Sequence, residues 1–522
     1  MIFKRVMTAL GRIAWFLPGF LLWAAYPPMG ETTDALFALA PLMWLSRQGD
    51  AKKSARRWFQ SGVFFWVATL AWMPAIVKNN GPWPLVVLGW AALAAYCAAY
   101  FAAYGYLSGA TWAWVREGGY VRRIFAVVVV EPVLWCGLEL VRSRFGGGFA
   151  WNQLGVVLVN ADFGAPAAIG GVYLCSAVVM LINGTLAGIA ERMMRKAPKF
   201  AAIETLAAFG VIFGIYGLTN LNAERETEGE LKVALIQRNF PCCFKSPDED
   251  PIGRYSSLFR NVALFKPDLV VLSESAMSEF GALESNRAFA FGTQWALEKT
   301  GAAGILAGGT RIGYRGELYN SAALYEHDRV SIYDKVHLVP FGEFIPGDKL
   351  LPVLQKYAPV GSCTAGKPKL LNFKTIPFGV AICFEDTDSA LIREAAAKGA
   401  KFLCFITNDS WFSRSDEALS HAWQARARAI ETGLPVVRVG NSGVTGTISA
   451  RGEVNWLIGR DGKPLVDAEG SMFDKIKVSG GGNTLYTKLG DWPLSVAFSL
   501  LIITAIVVKY RYERAKRNFV SL

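Results

Sequence analysis

Hydrophobic and polar positions along this chain follow two different rhythms. Through residues 1–220, apolar runs are separated by short basic loops; through 221–490, short apolar stretches alternate with amphipathic ones; 491–522 is apolar and then basic. A bilayer core about 30 Å thick takes about 20 residues of helix, because no water is there to satisfy an open backbone. On that measure the apolar runs predict eight spans, at 10–27, 34–46, 58–77, 84–108, 124–141, 165–190, 200–219 and 493–508. The second is short and could be a buried or tilted hairpin partner; the fourth is long enough to tilt.

From 221 onward the pattern predicts strands at Leu231–Gln237, Asp268–Glu274, Gly304–Arg311, Ser321–Tyr325, Val330–Lys335, Thr375–Cys383, Phe402–Thr407 and Val436–Gly440. Helices are predicted near 251–264, 281–299, 387–398 and 416–432. Strands that read as unbroken apolar runs are covered on both faces. The expected fold class is an α-helical membrane bundle of about eight transmembrane helices plus a layered α/β domain. Residues 1–220 would carry the first seven helices, 221–490 the globular domain, and 491–522 the last helix with a basic tail.

Composition sharpens this picture. Of the 522 residues 52% are hydrophobic and only 18% charged, against about 25% charged in ordinary soluble chains, which excludes disorder, coiled coil and collagen. The net charge of +12 would suit nucleic acid, but much of it lies in short loops flanking apolar runs, so no nucleic-acid partner is expected. Those loops set orientation. One alternate set holds twenty Lys and Arg, the other only Lys78, Arg142 and Arg144. The positive-inside rule then puts both termini in the cytoplasm and the globular domain outside it. The basic start and first apolar run could be a cleaved signal peptide, but several spans follow and no clear small-x-small site precedes Pro27-Pro28, so an uncleaved helix is expected.

The eight cysteines show no CxxC spacing and there are only three histidines, so a zinc site finds little support. No glycine-rich loop follows a strand in the context a phosphate site requires; Ser479–Gly482 reads as linker. No metal or organic cofactor is expected. Within the membrane half, Glu131 and Glu139 sit in or beside the fifth span, where carboxylates are costly and suggest function; the alternative is that Glu139 pairs with Arg142 at the interface. The glycine- and aromatic-rich segment 143–164 is expected to pack under the globular domain.

Three polar residues stand at strand ends, where α/β folds commonly place their chemistry: Glu274 ends LVVLSE, Lys335 ends SIYDK, and Cys383 ends FGVAIC. A cysteine on a strand-to-helix turn gains from the helix N-terminus, which lowers thiol pKa and offers N–H groups to an oxyanion. A nearby carboxylate could take the thiol proton and a lysine could stabilise a tetrahedral anion. Singly, each also fits a bland role, a buried small hydrophobe or a solvated strand end.

The surrounding text distinguishes them. DLVVLSESA, YDKVHLVPFGEFIP, FGVAICFED and TNDSWF, in that order, resemble the carbon–nitrogen hydrolase (nitrilase) superfamily, which implies a Glu–Lys–Cys triad on an α-β-β-α sandwich. VALIQRNFP, LYNSA, VHLVPFGEF and NSGVTG bring the resemblance closer to the apolipoprotein N-acyltransferase family, in which that sandwich is carried on a membrane helix bundle. The resemblance covers nearly the whole chain. It implies Cys383 as nucleophile, Glu274 as general base and Lys335 as the oxyanion-stabilising cation. Glu343 and Glu385 match supporting carboxylates, and Asn320, Asn408 and Trp411 fall on positions that shape the pocket. Phe384 stands where many relatives have Tyr, leaving its backbone N–H but no hydroxyl. Ser246 replaces a frequent lid Trp; Ser273 and Ala150 replace prolines.

The implied reaction is two-step acyl transfer from a phospholipid, through a Cys383 thioester, to the free α-amino group of a diacylglyceryl-cysteine at a lipoprotein N-terminus. The implied partners are a phospholipid acyl donor and a lipoprotein acceptor, and the implied place is a bacterial inner membrane with the catalytic domain periplasmic and the chain a monomer. A membrane-anchored amidase or nitrilase would use the same triad; a non-enzymatic binding or transport protein would not need Cys383. Lys349–Val360 and Phe341–Pro346 are candidate membrane-dipping arms, or ordinary core and loop. Cys363 could pair with Cys242 or Cys243 outside the cytoplasm, or all three could be free thiols. Cys404, Cys97, Cys136 and Cys175 are expected to pack, and His337 to be a structural hydrogen-bonder rather than a base.

Overall fold

A computed structural model describes residues 15–79, 81–195, 198–219, 227–241, 251–277, 287–346, 363–412, 415–480 and 484–520. Among these residues, five helices are long and apolar enough to cross a membrane: Ala51–Asn79, Trp83–Arg116, Tyr120–Arg142, Ala167–Met194 and Ala201–Thr219. The Trp492–Val508 part of the last helix is apolar but shorter. The expected span 10–27 lies partly outside the described residues, and its described part is the short helix Leu17–Ala24. The expected span 34–46 is broken into Ala35–Ala38 and Ala40–Ser46. At the break Pro41 opens the second piece, in the first turn where a missing N–H is tolerated. The fully buried Asn183 of the Ala167–Met194 helix takes two open groups of the first piece: its Oδ1 accepts from Leu39 N at 2.9 Å, and its Nδ2 donates to Ala35 O at 2.8 Å.

Helices in a bilayer gain little from burying apolar surface against one another, so small residues and buried polar contacts hold them together. Trp58 is fully buried, donates to Ser46 Oγ at 3.0 Å, and meets Tyr104 edge-on at 4.6 Å. Gly105 permits that approach, because a Cβ there would lie 2.6 Å from the Trp58 ring. Glu131 is buried and accepts from Tyr104, from Ser108 Oγ at 2.8 Å and from Trp112 Nε1 at 3.0 Å. Glu139 does not take Arg142 as its hydrogen-bond partner. Its oxygens accept from Leu154 N and Ser176 Oγ, both at 2.7 Å, while Arg142 donates to Phe149 O and Trp151 O. Arg47 and Arg123, two of the twenty loop cations, are buried with Glu191 and Glu204 in one ion-pair network.

The globular half contains two six-stranded sheets. The first runs β12-β1-β2-β3-β4-β5, with β1 Thr227–Gln237, β2 Leu269–Leu272, β3 Gly304–Ile312, β4 Leu318–Glu326, β5 Arg329–Asp334 and β12 Gly470–Ser479. The second runs β11-β10-β9-β8-β7-β6, with β6 Leu371–Phe373, β7 Ile376–Ile382, β8 Leu403–Thr407, β9 Val436–Gly440, β10 Gly446–Ile448 and β11 Val454–Trp456. The central pairs β1–β2–β3 and β7–β8–β9 are parallel; the flanking pairs are antiparallel. Side chains alternate across each strand. Val233, Leu235, Val271, Val380, Ile382 and Ile406 fill the space between the sheets. Ala234, Ile236 and Leu272 face helices Pro251–Ala263 and Arg287–Thr300, while Ala381, Leu403 and Phe405 face Ser389–Ala397 and Glu417–Thr432. The result is four layers, α-β-β-α.

Helix Glu417–Thr432 also joins the two halves: Ala427 and Ile430 belong to the core of the bundle. Arg428 and Glu431 on it are buried and paired at 2.9 Å. Glu431 accepts from Val172 N at 2.8 Å, just past the break at Gly170 and Gly171, the latter at φ +66. Segment 143–164 lies against the sandwich through Phe149, which stacks on Phe384, and through Trp151, 5.4 Å from His421.

Because Gly105 leaves no room beside Trp58, Gly105→Val should destabilise the bundle by about 1–3 kcal/mol. Thermal unfolding of the purified protein in detergent should show the loss; an unchanged midpoint would mean the two helices can part at no cost.

Candidate active site

Each expected triad residue leaves its sheet at the same end. Glu274 follows β2, and Gly308 on β3 lets the two chains close, since a Cβ there would sit 2.6 Å from Glu274 Cα. Lys335 follows β5 with its backbone held by Lys335 N donating to Asn320 O at 2.8 Å. Cys383 follows β7 at the start of a 3-10 turn, Cys383–Thr387, in the left-handed region at φ +55. A non-glycine residue there is strained and persists where the surroundings over-determine it.

Four of the expected residues form one hydrogen-bonded chain. Asn320 Nδ2 donates to Glu274 Oε1 and to Glu343 Oε1, both at 2.7 Å. Lys335 Nζ, 1% exposed, donates to Glu343 Oε1 at 2.9 Å and lies 3.8 Å from Glu274 Oε1. Glu343 is fixed in turn by Val339 N at 2.8 Å. Cys383 is half-buried, and the charges of Glu274 and Lys335 both act on its thiol.

Glu385 lies beneath this group rather than in it. Its Oε1 accepts from Val336 N at 2.6 Å and His337 N at 3.1 Å, its Oε2 from Ile382 N at 2.8 Å, and the Tyr333 hydroxyl donates to both oxygens. One fully buried carboxylate thereby ties the strand end carrying Lys335 to the strand end carrying Cys383. The Phe384 ring stacks on Phe149 of the membrane half at 6.1 Å. Asn408 accepts from Asn441 Nδ2 at 3.0 Å and from Ser410, shaping the turn Asp409–Trp411. The backbone of Trp411 is held from the membrane half, where Asn79 Nδ2 donates to Trp411 O at 2.7 Å and Ser410 O at 3.1 Å.

Burial governs the electrostatics. It pushes the Glu274 carboxyl above its usual range, with Lys335 pulling back. Burial and then Glu274 drive the Cys383 thiol well above its ordinary value. For Lys335 burial works toward loss of the proton, but Glu343, Cys383 and Glu274 outweigh it and the ammonium is held charged. Burial likewise raises Glu385. Burial and the Glu274 charge thus favour the protonated thiol at Cys383, while Lys335 opposes them. A carboxylate whose affinity for protons has been raised is the fitting acceptor.

Several structured groups here carry no strong sequence signal. His337 Nδ1 is 2.7 Å from Asp388 Oδ2, and Asp388 caps helix Ser389–Ala397 through Ala390 N and Leu391 N. Arg144 bridges Asp388, at 3.2 Å, and Asp491, at 2.6 Å. The Asp388 carboxyl is held down to about 2: burial opposes this, but the bond from His337 and the charge of Arg144 prevail. Arg428 Nη1 donates to Thr387 O at 2.8 Å, so the Arg428–Glu431 pair links the Cys383–Thr387 turn to the broken membrane helix. Asp386 and Asp409 lie inside the motifs FED and TND and could have been read from them. Asp409, Glu417 and His421 each present one donor atom within 4.8 Å of one another. They do not fit a cation: both ring nitrogens of His421 already face aspartates, and the Arg438 guanidinium closes the other side.

Cys363 carries a free thiol, and its backbone N donates to Glu343 O at 2.7 Å. Cys242, Cys243, Ser246 and the arm Lys349–Val360 lie outside the described residues. In the other candidate arm Phe341 is 68% exposed whereas Ile345 is buried.

Comparison with known proteins places this geometry. Residues 18–185 match the family described as apolipoprotein N-acyltransferase N-terminal domain, and residues 262–471 match carbon–nitrogen hydrolase. Apolipoprotein N-acyltransferase of Geobacter metallireducens is 31% identical over 95% of this chain and 94% of its own length. That of Photobacterium profundum is 26% identical over 98% of this chain and 99% of its own. Among solved structures, a carbon–nitrogen hydrolase from Helicobacter pylori is similar over 48% of this chain and 89% of that chain, with 18% identity and a TM-score of 0.35. A Saccharomyces cerevisiae protein of branch 10 of the nitrilase superfamily covers 52% of this chain and 97% of its own, with 17% identity and a TM-score of 0.37. With a match to a relative above 30% identity along nearly its whole length, a carbon–nitrogen hydrolase fold and several membrane-length helices, this chain is a membrane enzyme that belongs to the apolipoprotein N-acyltransferase family.

Proposed function

We propose that the protein transfers a fatty acyl chain from a phospholipid to the α-amino group of a diacylglyceryl-cysteine at a lipoprotein N-terminus, through a thioester on Cys383. In the first half-reaction the sulfur attacks the ester carbonyl while Glu274 takes the thiol proton. Lys335 and a backbone N–H near Phe384 balance the oxyanion, and the lysophospholipid leaves as an alcohol with the proton returned from Glu274. In the second half-reaction the lipoprotein amine attacks the thioester and Glu274 takes its proton. The tetrahedral intermediate then collapses, releasing the Cys383 thiolate and the amide; the thiolate recovers its proton from Glu274. Glu343 and Asn320 hold Lys335 and Glu274 in register, and Glu385 fixes the strand ends that carry Lys335 and Cys383.

One observation carries this reading: the turn bearing Cys383 rests on the membrane half, with the ring of Phe384 stacked on that of Phe149. A nucleophile so placed meets acyl chains rooted in a bilayer leaflet, which favours lipid transfer over hydrolysis of a small soluble amide. Transfer also requires that water be kept from the thioester until the amine arrives. The loop asymmetry of Lys and Arg supports a periplasmic catalytic domain, residues 221–490, with both termini cytoplasmic.

Incubating the purified enzyme in phospholipid vesicles with a synthetic diacylglyceryl-cysteine peptide should give the N-acylated peptide and lysophospholipid in equal amounts. Cys383→Ala should reduce this by at least about 10³-fold, the scale expected for loss of a nucleophile. Release of free fatty acid without N-acyl peptide would favour a hydrolase, and full activity of Cys383→Ala would exclude covalent catalysis at this residue.

The hydrogen bond from Asn320 stabilises the ionised form of Glu274 and lowers its pKa. Asn320→Ala should therefore move the acidic limb of the pH–rate profile for enzyme acylation to higher pH. Rapid-quench measurement of acyl-enzyme formation between pH 5 and pH 8 would show it; a shift to lower pH would contradict the assignment of Glu274 as base.

A further inference from the structure

Behind the Glu–Lys–Cys group lies a second buried cluster of charge, centred on His421 of helix Glu417–Thr432. The imidazole is 1% exposed and sits between carboxylates from two different turns. Its Nε2 is 2.9 Å from Asp386 Oδ1, and its Nδ1 is 3.1 Å from Asp409 Oδ1. Asp386 belongs to the nucleophile turn Cys383–Thr387, and Asp409 opens the turn Asp409–Trp411. A neutral imidazole has one N–H and one lone pair, so it can donate to one carboxylate only and must turn the lone pair toward the other. An imidazolium carries an N–H on each side: Nδ1 is hydrogen-bonded to Asp409, and Nε2 faces Asp386 as a close ion pair without hydrogen-bond alignment.

The neighbours agree with that count. Arg438 on β9 is paired with Asp386 and lies 3.7 Å from Asp409. Glu417, one helical turn before His421, has an oxygen 3.5 Å from Nδ1. Thr407 donates to Asp409 at 2.7 Å, and the Trp151 ring of the membrane half covers the imidazole. Burial, and then Asp409, push the Glu417 carboxyl far above its usual range. With His421 as an imidazolium, its charge and that of Arg438 match the two aspartates they face. Asp409 also acts on both Glu274 and the Cys383 thiol, raising each.

We propose that His421 is a standing imidazolium that serves as a positioning residue, bracing the nucleophile turn against the Asp409 turn and cancelling the Asp409 charge that Cys383 and Glu274 would otherwise feel. The role in catalysis rests on the assignment of Cys383 and Glu274 above; the protonation state does not. Burial favours loss of the ring proton, but Asp386 and Asp409 outweigh it and carry the titration up to about 10. The folded value lies above the ordinary one, so this contribution is complete below about pH 6.5 and is lost only as pH rises through about 10. The brace is therefore constant through the neutral range rather than a switch.

The chain holds only three histidines, so selective 15N labelling of histidine in the full-length enzyme gives a readable spectrum. At pH 8 one ring should show two protonated nitrogens, and that pair of signals should be absent from His421→Gln. A spectrum at pH 8 in which no histidine ring carries two protonated nitrogens would overturn the proposal even if no variant folds. In rapid-quench acylation of Cys383 from phospholipid vesicles, His421→Gln should slow the maximal rate at least about 10-fold, the loss of a charge-assisted contact, with KM for the lipid unchanged. The uncompensated Asp409 should move the acidic limb to higher pH. Adding Asp386→Asn to His421→Gln restores the charge count and should return the limb toward its original pH. An unmoved limb in His421→Gln, or a limb that the second substitution leaves displaced, would refute charge compensation. Failure of the unaltered enzyme to acylate Cys383 at all would instead refute the catalytic reading, leaving the labelled-histidine result to stand alone.

Discussion

A lysine ammonium sealed from water is costly unless carboxylates surround it, and the arrangement of this site follows from that single constraint. Lys335 has Glu343 at 2.9 Å and Glu274 at 3.8 Å, with Asn320 joined to both acids. These partners keep the cation charged, and the shared burial raises Glu274 toward the range useful to a base. Removing one member would leave the others uncompensated. The network is thus both the support of the site and the source of its reactivity, on the roles proposed here.

The same economy appears where the two halves of the chain meet. Glu431 takes the N–H that the Gly170–Gly171 break leaves open, and its partner Arg428 takes the last carbonyl of the Cys383–Thr387 turn. Asn79 reaches from the membrane half to two carbonyls of the pocket turn. Backbone groups freed by irregular structure near a bilayer need partners inside the protein, and here those partners fix where the Cys383 and Asp409 turns stand. The break in the membrane helix and the placement of those turns are met by the same side chains.

Much of this was legible in the sequence. The apolar runs gave the long membrane helices, and the eight strands read from buried runs all exist with small changes at their ends. The four missed strands show the limits of periodicity. Three of them, β6, β10 and β11, are three residues long, below the length at which alternation can be seen. The fourth, β12, carries Asp474, Lys475 and Lys477 and owes its place to pairing with β1, far away in sequence. The predicted span 34–46 was read as continuous because its partner Asn183 is invisible from local pattern. Within the site, motif order placed the triad and its supporting acids in one neighbourhood. It could not show that Phe384 would turn to the membrane half or that Glu385 would act as a brace under the floor. His421 went unnoticed because its meaning lies in two aspartates contributed by other turns.

All of this turns on whether the sulfur of Cys383 carries the acyl chain between donor and acceptor. Mass spectrometry of the Cys383-containing peptide, after the enzyme is exposed to phospholipid without acceptor, addresses that directly. The account requires a hydroxylamine-sensitive acyl adduct on Cys383 in the unaltered enzyme, greatly diminished in Glu274→Ala and Lys335→Ala, and discharged when a diacylglyceryl-cysteine peptide is added. An unmodified thiol under conditions in which product still forms would contradict it.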